Sequence, residues 1–196
     1  MRTIKTNLYQ YAELSEDAQQ KAREWYTGKG FEFDAGVIIE DVKRIATILG
    51  VNNCEVFYSG FWSQGDGACI NGTYHYTKGA LKVIKEYAPM DTELHDIIKQ
   101  LQDAQRKAFY KTIVKITHSG GYCHYNSMDF NHENELYPDL DDRSDSCKEI
   151  EEAFKDFARW IYKQLEKDYY YQTSNEAVIE TIEANEYEFL INGKKG

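Results

Sequence analysis

Two alternating runs on either side of a glycine-rich interval constrain this chain more than any other feature. Cys54, Val56 and Tyr58 alternate with other residues before the interval, and Ile70, Tyr74 and Tyr76 keep a period of two after it. That period sends successive side chains to opposite faces of a strand. The runs 54–61 and 68–76 therefore read as a hairpin, with 62–67 as an unusually polar connection. The surrounding text is mostly helical in its spacing, so this hairpin makes the chain α+β rather than all-α.

The remaining stretches supply helices and a second hairpin. Residues 3–11 read as a short strand carrying Ile4, Leu8 and Tyr9. Ser15 suits an N-cap, and Glu16 and Asp17 complement the positive end of the helix it starts. Ala18, Ala22 and Trp25 share one face of that helix, and Gly28 and Gly30 stop it. A second helix covers 34–49, its stripe of Val37, Ile38, Val42, Ile45, Ile48 and Leu49 broken by Asp41 and closed by Gly50. Residues 78–88 form a short helix ended by Pro89. Asp91 or Thr92 begins a longer one, where Leu94, Ile97, Ile98, Leu101, Ala104 and Ala108 recur at helical spacing.

Residues 111–117 alternate again, and with Gly120-Gly121 as the turn they pair with 122–130. From 131 to 145 the periodicity fades and acid accumulates (Glu133, Glu135, Asp139, Asp141, Asp142, Asp145), which reads as a solvated loop. Ser146-Cys147-Lys148-Glu149 is a capping box opening the longest helix, whose core face is Ile150, Phe154, Phe157, Ile161 and Leu165. Thr173-Ser174-Asn175-Glu176 introduces a short helix through Ile182, and 187–191 form a last edge strand. No repeat and no linker divides the text. The expected architecture is a single domain over 1–196, an antiparallel sheet of two hairpins plus terminal strands with helices packed on one face.

The charge narrows the function classes. Asp and Glu number 33 against 23 Lys and Arg, a net charge of −10. Nucleic-acid binders carry a basic footprint because phosphate contacts dominate their affinity, so no direct nucleic-acid partner is expected. Acid on this scale serves solubility, a basic protein partner, or mimicry of nucleic acid. The apolar fraction leans on 16 tyrosines, rings that keep a polar tip. The four cysteines (Cys54, Cys69, Cys123, Cys147) form no C-x-x-C, and residues 1–10 carry no long apolar run. No stretch approaches the roughly 18 apolar residues of a membrane span. A cytoplasmic setting with free thiols follows as the expectation, with Cys54 and Cys69 open to meeting across the first hairpin.

Three stretches could carry chemistry. The glycines Gly60, Gly65 and Gly67 do not lead into a helix, so they do not make a phosphate-cradling loop. They read either as a turn with Phe61 and Trp62 packed beside it, or as a recognition loop presenting Phe61, Trp62, Ser63, Gln64 and Asp66 to a partner. The second stretch holds His118, Cys123, His124, Asp129, His132 and Glu133, all potential metal ligands, at spacings that fit no zinc finger. It reads as the polar face of a hairpin or as a metal site on His118, Cys123, His124 and His132. The third is acidic. Glu176, Glu180 and Glu183 stand at i, i+4 and i+7 on one helical stripe, where like charges cost a few tenths of a kcal/mol each. No G-x-S-x-G and no H-E-x-x-H is present, no catalytic group is singled out, and no cofactor is expected.

The chain also resembles a known group. Leu8-Tyr9-x-Tyr11-x-Glu13-Leu14-Ser15-x-x-Ala18-x-x-Lys21-Ala22 is similar to the start of a family of small phage and prophage proteins. Tyr58-Ser59-Gly60-Phe61-Trp62-Ser63-Gln64-Gly65-Asp66-Gly67-Ala68 is the most specific mark of the likeness. Lys85-Glu86-Tyr87-Ala88-Pro89, Trp160-Ile161-Tyr162-x-x-Leu165-Glu166 and Asn185-Glu186-Tyr187-Glu188-Phe189 extend it nearly end to end. Members are often labelled antitoxins of toxin–antitoxin stability systems, and others carry no functional label. The resemblance implies a mobile-element origin, a host-cell cytoplasm and a protein partner, and it brings no catalytic residues with it.

The leading expectation is therefore an interaction protein that binds and neutralises a bacterial host protein, either a toxin or a defence component. Its partner-binding residues would be Phe61, Trp62, Ser63, Gln64, Asp66, Glu176, Glu180 and Glu183. The alternatives are a DNA-mimic inhibitor of a nucleic-acid-binding protein and a metal-dependent hydrolase using the 118–133 cluster.

Overall fold

The computed structural model describes residues 6–134 and 145–196 and divides the chain into two units, 36–166 and 1–35 with 167–196. The fold is α+β, with six α-helices and two antiparallel sheets among the described residues. No described helix is long and apolar enough to cross a membrane.

Unit 36–166 is built on a four-stranded antiparallel sheet in the order β2 (Val51–Tyr58), β3 (Ala68–Tyr74), β4 (Thr112–His118), β5 (Met128–Asn134). Helix α2 (Gly36–Leu49) runs into β2 through Gly50, at φ +98°. Only glycine adopts that conformation without strain, and any Cβ there would collide with the carbonyl of His75. The same carbonyl approach is useful, since Gly50 O accepts from His75 N at 2.9 Å and closes the first strand pair.

Along β4 the period of two is visible in the burial. Thr112, Val114 and Ile116 are inside, whereas Lys115 between them is exposed. Tyr74 on β3 pairs with Val114 and meets the ring of Phe154 edge-on at 5.1 Å. Phe154 belongs to α5 (Asp145–Gln172), which buries the stripe Ile150, Phe154, Phe157, Ile161 and Leu165 as its spacing predicts. Each such side chain stabilises the fold by about 1.5–3 kcal/mol. Two further helices complete the unit, α3 (Ala80–Tyr87) and α4 (Thr92–Lys107). The Asp91 carboxylate caps α4 by accepting from Leu94 N at 2.9 Å, and its other oxygen accepts from the Trp160 indole at 2.8 Å. One side chain thus fixes a helix start and a core tryptophan together.

The second unit holds α1 (Glu16–Trp25), α6 (Asn175–Ala184) and a two-stranded sheet of β1 (Tyr9–Gln10) with β6 (Glu188–Phe189). Its core gathers Tyr11, Leu14, Ala18, Ala22, Tyr26, Val178, Ile182 and Phe189. Trp25 packs edge-on against both Tyr187 and Phe189 at 5.7 Å, the arrangement ring quadrupoles favour. The terminal strands thus pair with each other, in a sheet of their own.

Several sequence expectations shift. The partner of β4 is 128–134 rather than 122–130, with His118 opposite Met128. The Gly120-Gly121 pair does not make a tight hairpin, because residues 119–127 form a longer connection containing a 3₁₀ turn, Tyr125–Ser127. His124 holds that turn, its Nδ1 accepting from Asn126 N and its carbonyl accepting from Ser127 Oγ at 2.7 Å. Residues 131–134 are strand, not loop, while 135–144 lie outside the described residues. Ser146 is buried inside α5 and does not cap it. Ser174, one residue later than the Thr173 of the expected box, caps α6 by accepting from Ala177 N. The strand expected at 3–11 contracts to Tyr9–Gln10, residues 1–5 lying outside the described residues.

Candidate functional site

The connection between β2 and β3 is held shut by its own polar groups. Ser59 N donates to Gly67 O at 3.0 Å, and Ser59 Oγ accepts from Gly67 N at 3.1 Å. Inside that neck the Asp66 carboxylate accepts from two backbone donors, Trp62 N at 2.8 Å and Ser63 N at 2.6 Å. Bonds of this charge-assisted kind are the strong ones, and they replace water on two amides that a tight turn would leave unsatisfied. Asp66 N returns a bond to Ser63 O at 2.9 Å.

The two aromatic residues of the loop go opposite ways. Phe61 is 7% exposed, stacked between Tyr58 at 6.0 Å and Tyr162 of α5 at 5.8 Å. It anchors the loop and does not face a partner, unlike the expectation for this residue. Trp62 is 73% exposed, and Ser63 and Gln64 beside it are exposed too. Asp66 works inward, as the bond acceptor that shapes the turn.

A second connection, 119–127, lies against the first. Ser59 Oγ donates to Cys123 O at 3.1 Å. A Cβ on Gly67 would sit 2.7 Å from His124 Cδ2, and one on Gly65 would strike the Tyr122 hydroxyl. Close approach requires glycine at Gly67, where His124 and Cys123 backbone atoms also crowd in, whereas at Gly65 only the tip of the exposed Tyr122 side chain would have to move. Tyr122 is itself exposed, and the Arg159 guanidinium lies 4.0 Å from the centroid of the Tyr125 ring. The sequence pattern does not single out Tyr122, Tyr125 or Arg159. Tyr122 and Tyr125 looked like strand residues, and only the fold brings Arg159 of α5 to them. Their types were the available signal, since Trp, Tyr and Arg dominate interface hot spots.

The potential metal ligands separate. His118 and Cys123 come together, joined by Cys69, which the sequence did not offer as a ligand. One ligand atom from each of the three lies within 4.8 Å of the others. His124 does not join them. Its ring packs 3.9 Å from Tyr125, and burial together with the Arg159 charge holds its pKa below the ordinary histidine value. His132 turns to α5, its Nε2 2.9 Å from Glu151 Oε1. Burial, with Cys123 alongside, pushes the Cys69 thiol up to about 12. Cys54 does not meet Cys69 across the hairpin, because the register places Phe57 opposite Cys69. All four cysteines are free thiols.

Glu176, Glu180 and Glu183 are exposed on α6, in the unit formed by 1–35 and 167–196, whereas the Trp62 loop belongs to the other unit. Of the acids expected to extend this field, Glu133 is exposed on β5, and Glu135, Asp139, Asp141 and Asp142 lie outside the described residues. No curated protein and no solved structure matches the chain. Residues 35–175, which include both connections and the Cys69–His118–Cys123 group, match the domain of unknown function DUF8835, and the chain belongs to that family.

Proposed function

We propose that this chain is an interaction protein that binds and neutralises a bacterial host protein, a toxin or a component of host defence, by seating Trp62 in a pocket of that partner. The observation that carries the reading is a tryptophan 73% exposed to water on a loop cross-linked at its neck and by Asp66. An exposed indole on a pre-shaped turn binds without a large ordering cost, which is how a few residues come to dominate an interface. Tyr122, Tyr125 and Arg159 on the neighbouring connection and α5 extend the same composition. The resemblance to phage and prophage proteins labelled antitoxins supports a mobile-element origin and a host-cytoplasm setting. The exposed acids of α6 favour a partner with basic surface, through encounter rate more than through affinity.

The test is capture from bacterial host lysate, with the wild-type chain and Trp62→Ala as paired baits and quantitative mass spectrometry as the readout. A specific protein should be enriched by the wild type and lost from the variant, with affinity falling about 30-fold or more, the 2 kcal/mol of a hot-spot residue. Equal capture by both baits, or none by either, removes the reading.

A further inference from the structure

Cys69, His118 and Cys123 come from three separate pieces of the sheet unit. Cys69 lies in β3, His118 is the last residue of β4, and Cys123 sits in the connection that follows. The same residues that close the neck of the Trp62 loop also bring them together. Ser59 Oγ bonds the Cys123 carbonyl, and Gly67 lets the 119–127 connection close down on the start of β3. Cys69 is fully buried, and its thiol lies within hydrogen-bond reach of Cys123.

The orientation of His118 is also fixed. Asn71 Nδ2 donates to Glu55 Oε2 at 3.3 Å, which defines Asn71 Oδ1 as the oxygen on the other side. That oxygen accepts from His118 N at 2.9 Å and lies 3.2 Å from His118 Nδ1. Facing an acceptor, Nδ1 must carry the proton, so Nε2 keeps the lone pair. The Phe57 ring, 4.4 Å away, holds the imidazole from the side. A histidine that gives its second N–H to a carbonyl is the usual outer support of a metal ligand.

The geometry points to a zinc-type cation site formed by Cys69 Sγ, His118 Nε2 and Cys123 Sγ, which ties β3, β4 and the second connection together beneath the Trp62 loop. Two sulfurs and one imidazole suit a borderline-soft divalent ion, and oxygen-seeking magnesium or calcium would be rejected. Tetrahedral zinc, with bonds of about 2.0–2.3 Å, needs its ligand atoms roughly 3.5–4 Å apart. With one ligand atom of each residue already within 4.8 Å of the others, a turn of the imidazole and small thiol movements reach that spacing. Among the described residues no further His, Cys, Asp or Glu joins the three, which leaves the fourth position to water or to the Ser127 hydroxyl that already contacts Cys69. On binding, each thiol gives up its proton to solvent and the sulfur lone pair forms the metal bond. This site does not depend on the Trp62 reading and stands or falls separately.

The experiment is titration of the full-length, chelator-stripped and reduced protein with cobalt(II), then displacement by zinc(II). One equivalent should bind, giving thiolate-to-cobalt charge transfer and tetrahedral visible bands that zinc abolishes. Cys123→Ser should weaken binding at least about 100-fold and Asn71→Ala about 10–100-fold, whereas Cys54→Ser, outside the group, should leave it unchanged. Circular dichroism establishes that each variant is folded. The proposal is overturned if the folded wild type binds no equivalent, if the spectrum lacks sulfur charge transfer, or if Cys123→Ser binds as tightly as the wild type. Air-exposed protein in which a Cys69–Cys123 disulfide forms equally fast with and without zinc also overturns it.

Discussion

The Trp62 loop and the acidic stripe of α6 are both exposed, yet they are exposed for different physical reasons. Water meets Glu176, Glu180 and Glu183 because a charged helix face is stable there, and nothing has to be built to keep them out. Trp62 is the reverse case. An indole on a loop this polar would bury itself if the turn allowed it, and Asp66, Ser59 and Phe61 together fix a turn in which it stays outside. Exposure that the fold must maintain carries more functional meaning than exposure that costs nothing.

That contrast is sharpest at Gly67. Gly67→Ala should destabilise the protein by about 2 kcal/mol, since the new Cβ must displace His124 or the backbone beside it. Urea unfolding reads this directly, and a change under 0.5 kcal/mol would mean that the two connections are not interlocked. Asp66→Ala should cost somewhat less, about 1–2 kcal/mol, by leaving Trp62 N and Ser63 N without their acceptor. Its melting curve should shift downward together with any loss of partner capture.

The acidic stripe should behave differently. Replacing Glu180 and Glu183 by Gln together relieves like-charge repulsion along the stripe and should raise stability by a few tenths of a kcal/mol, Glu176 being kept because a carboxylate is favourable in the first turn of α6. The gain should shrink at high salt, where the repulsion is screened. A loss of stability on this replacement would show that the stripe is engaged in structure and would dissolve the contrast.

A further effect, read only at alkaline pH, provides a baseline outside both regions. Burial raises the Cys54 thiol from 9.0 to about 11, with Lys43 lowering it and Glu55 raising it in part. A group whose folded value is raised contributes stability that is present below pH 9 and fades as pH climbs toward 11. Cys54→Ser should therefore flatten the alkaline limb of a stability–pH profile relative to wild type. Identical limbs would place Cys54 in water.

Much of the fold was legible because local signals agreed. The helix stripes on α4 and α5, the first hairpin and the Asp91 cap all appear where spacing and capping chemistry put them. The second hairpin was misread for a physical reason. Gly120-Gly121 looks like a turn, but Tyr122, Cys123 and His124 are drawn to the first connection, and the strand restarts only at Met128. Tertiary contact overrode a local turn signal. The candidate site was half legible for the same reason. Trp62 stood out by composition, whereas Cys69 looked like an ordinary buried strand residue until the fold placed His118 and Cys123 beside it.

The sequence by itself determined the α+β class, the helical faces, the polar connection at 62–67 and the acidic character of the chain, since each depends on residues near one another along the backbone. Tertiary structure alone decided that Phe61 turns in while Trp62 stays out, that the terminal strands pair with each other, and that two thiols and an imidazole share one small volume. Those outcomes depend on contacts between residues far apart in the chain, such as Phe61 with Tyr162 and Ser59 with Cys123, and no local period encodes them.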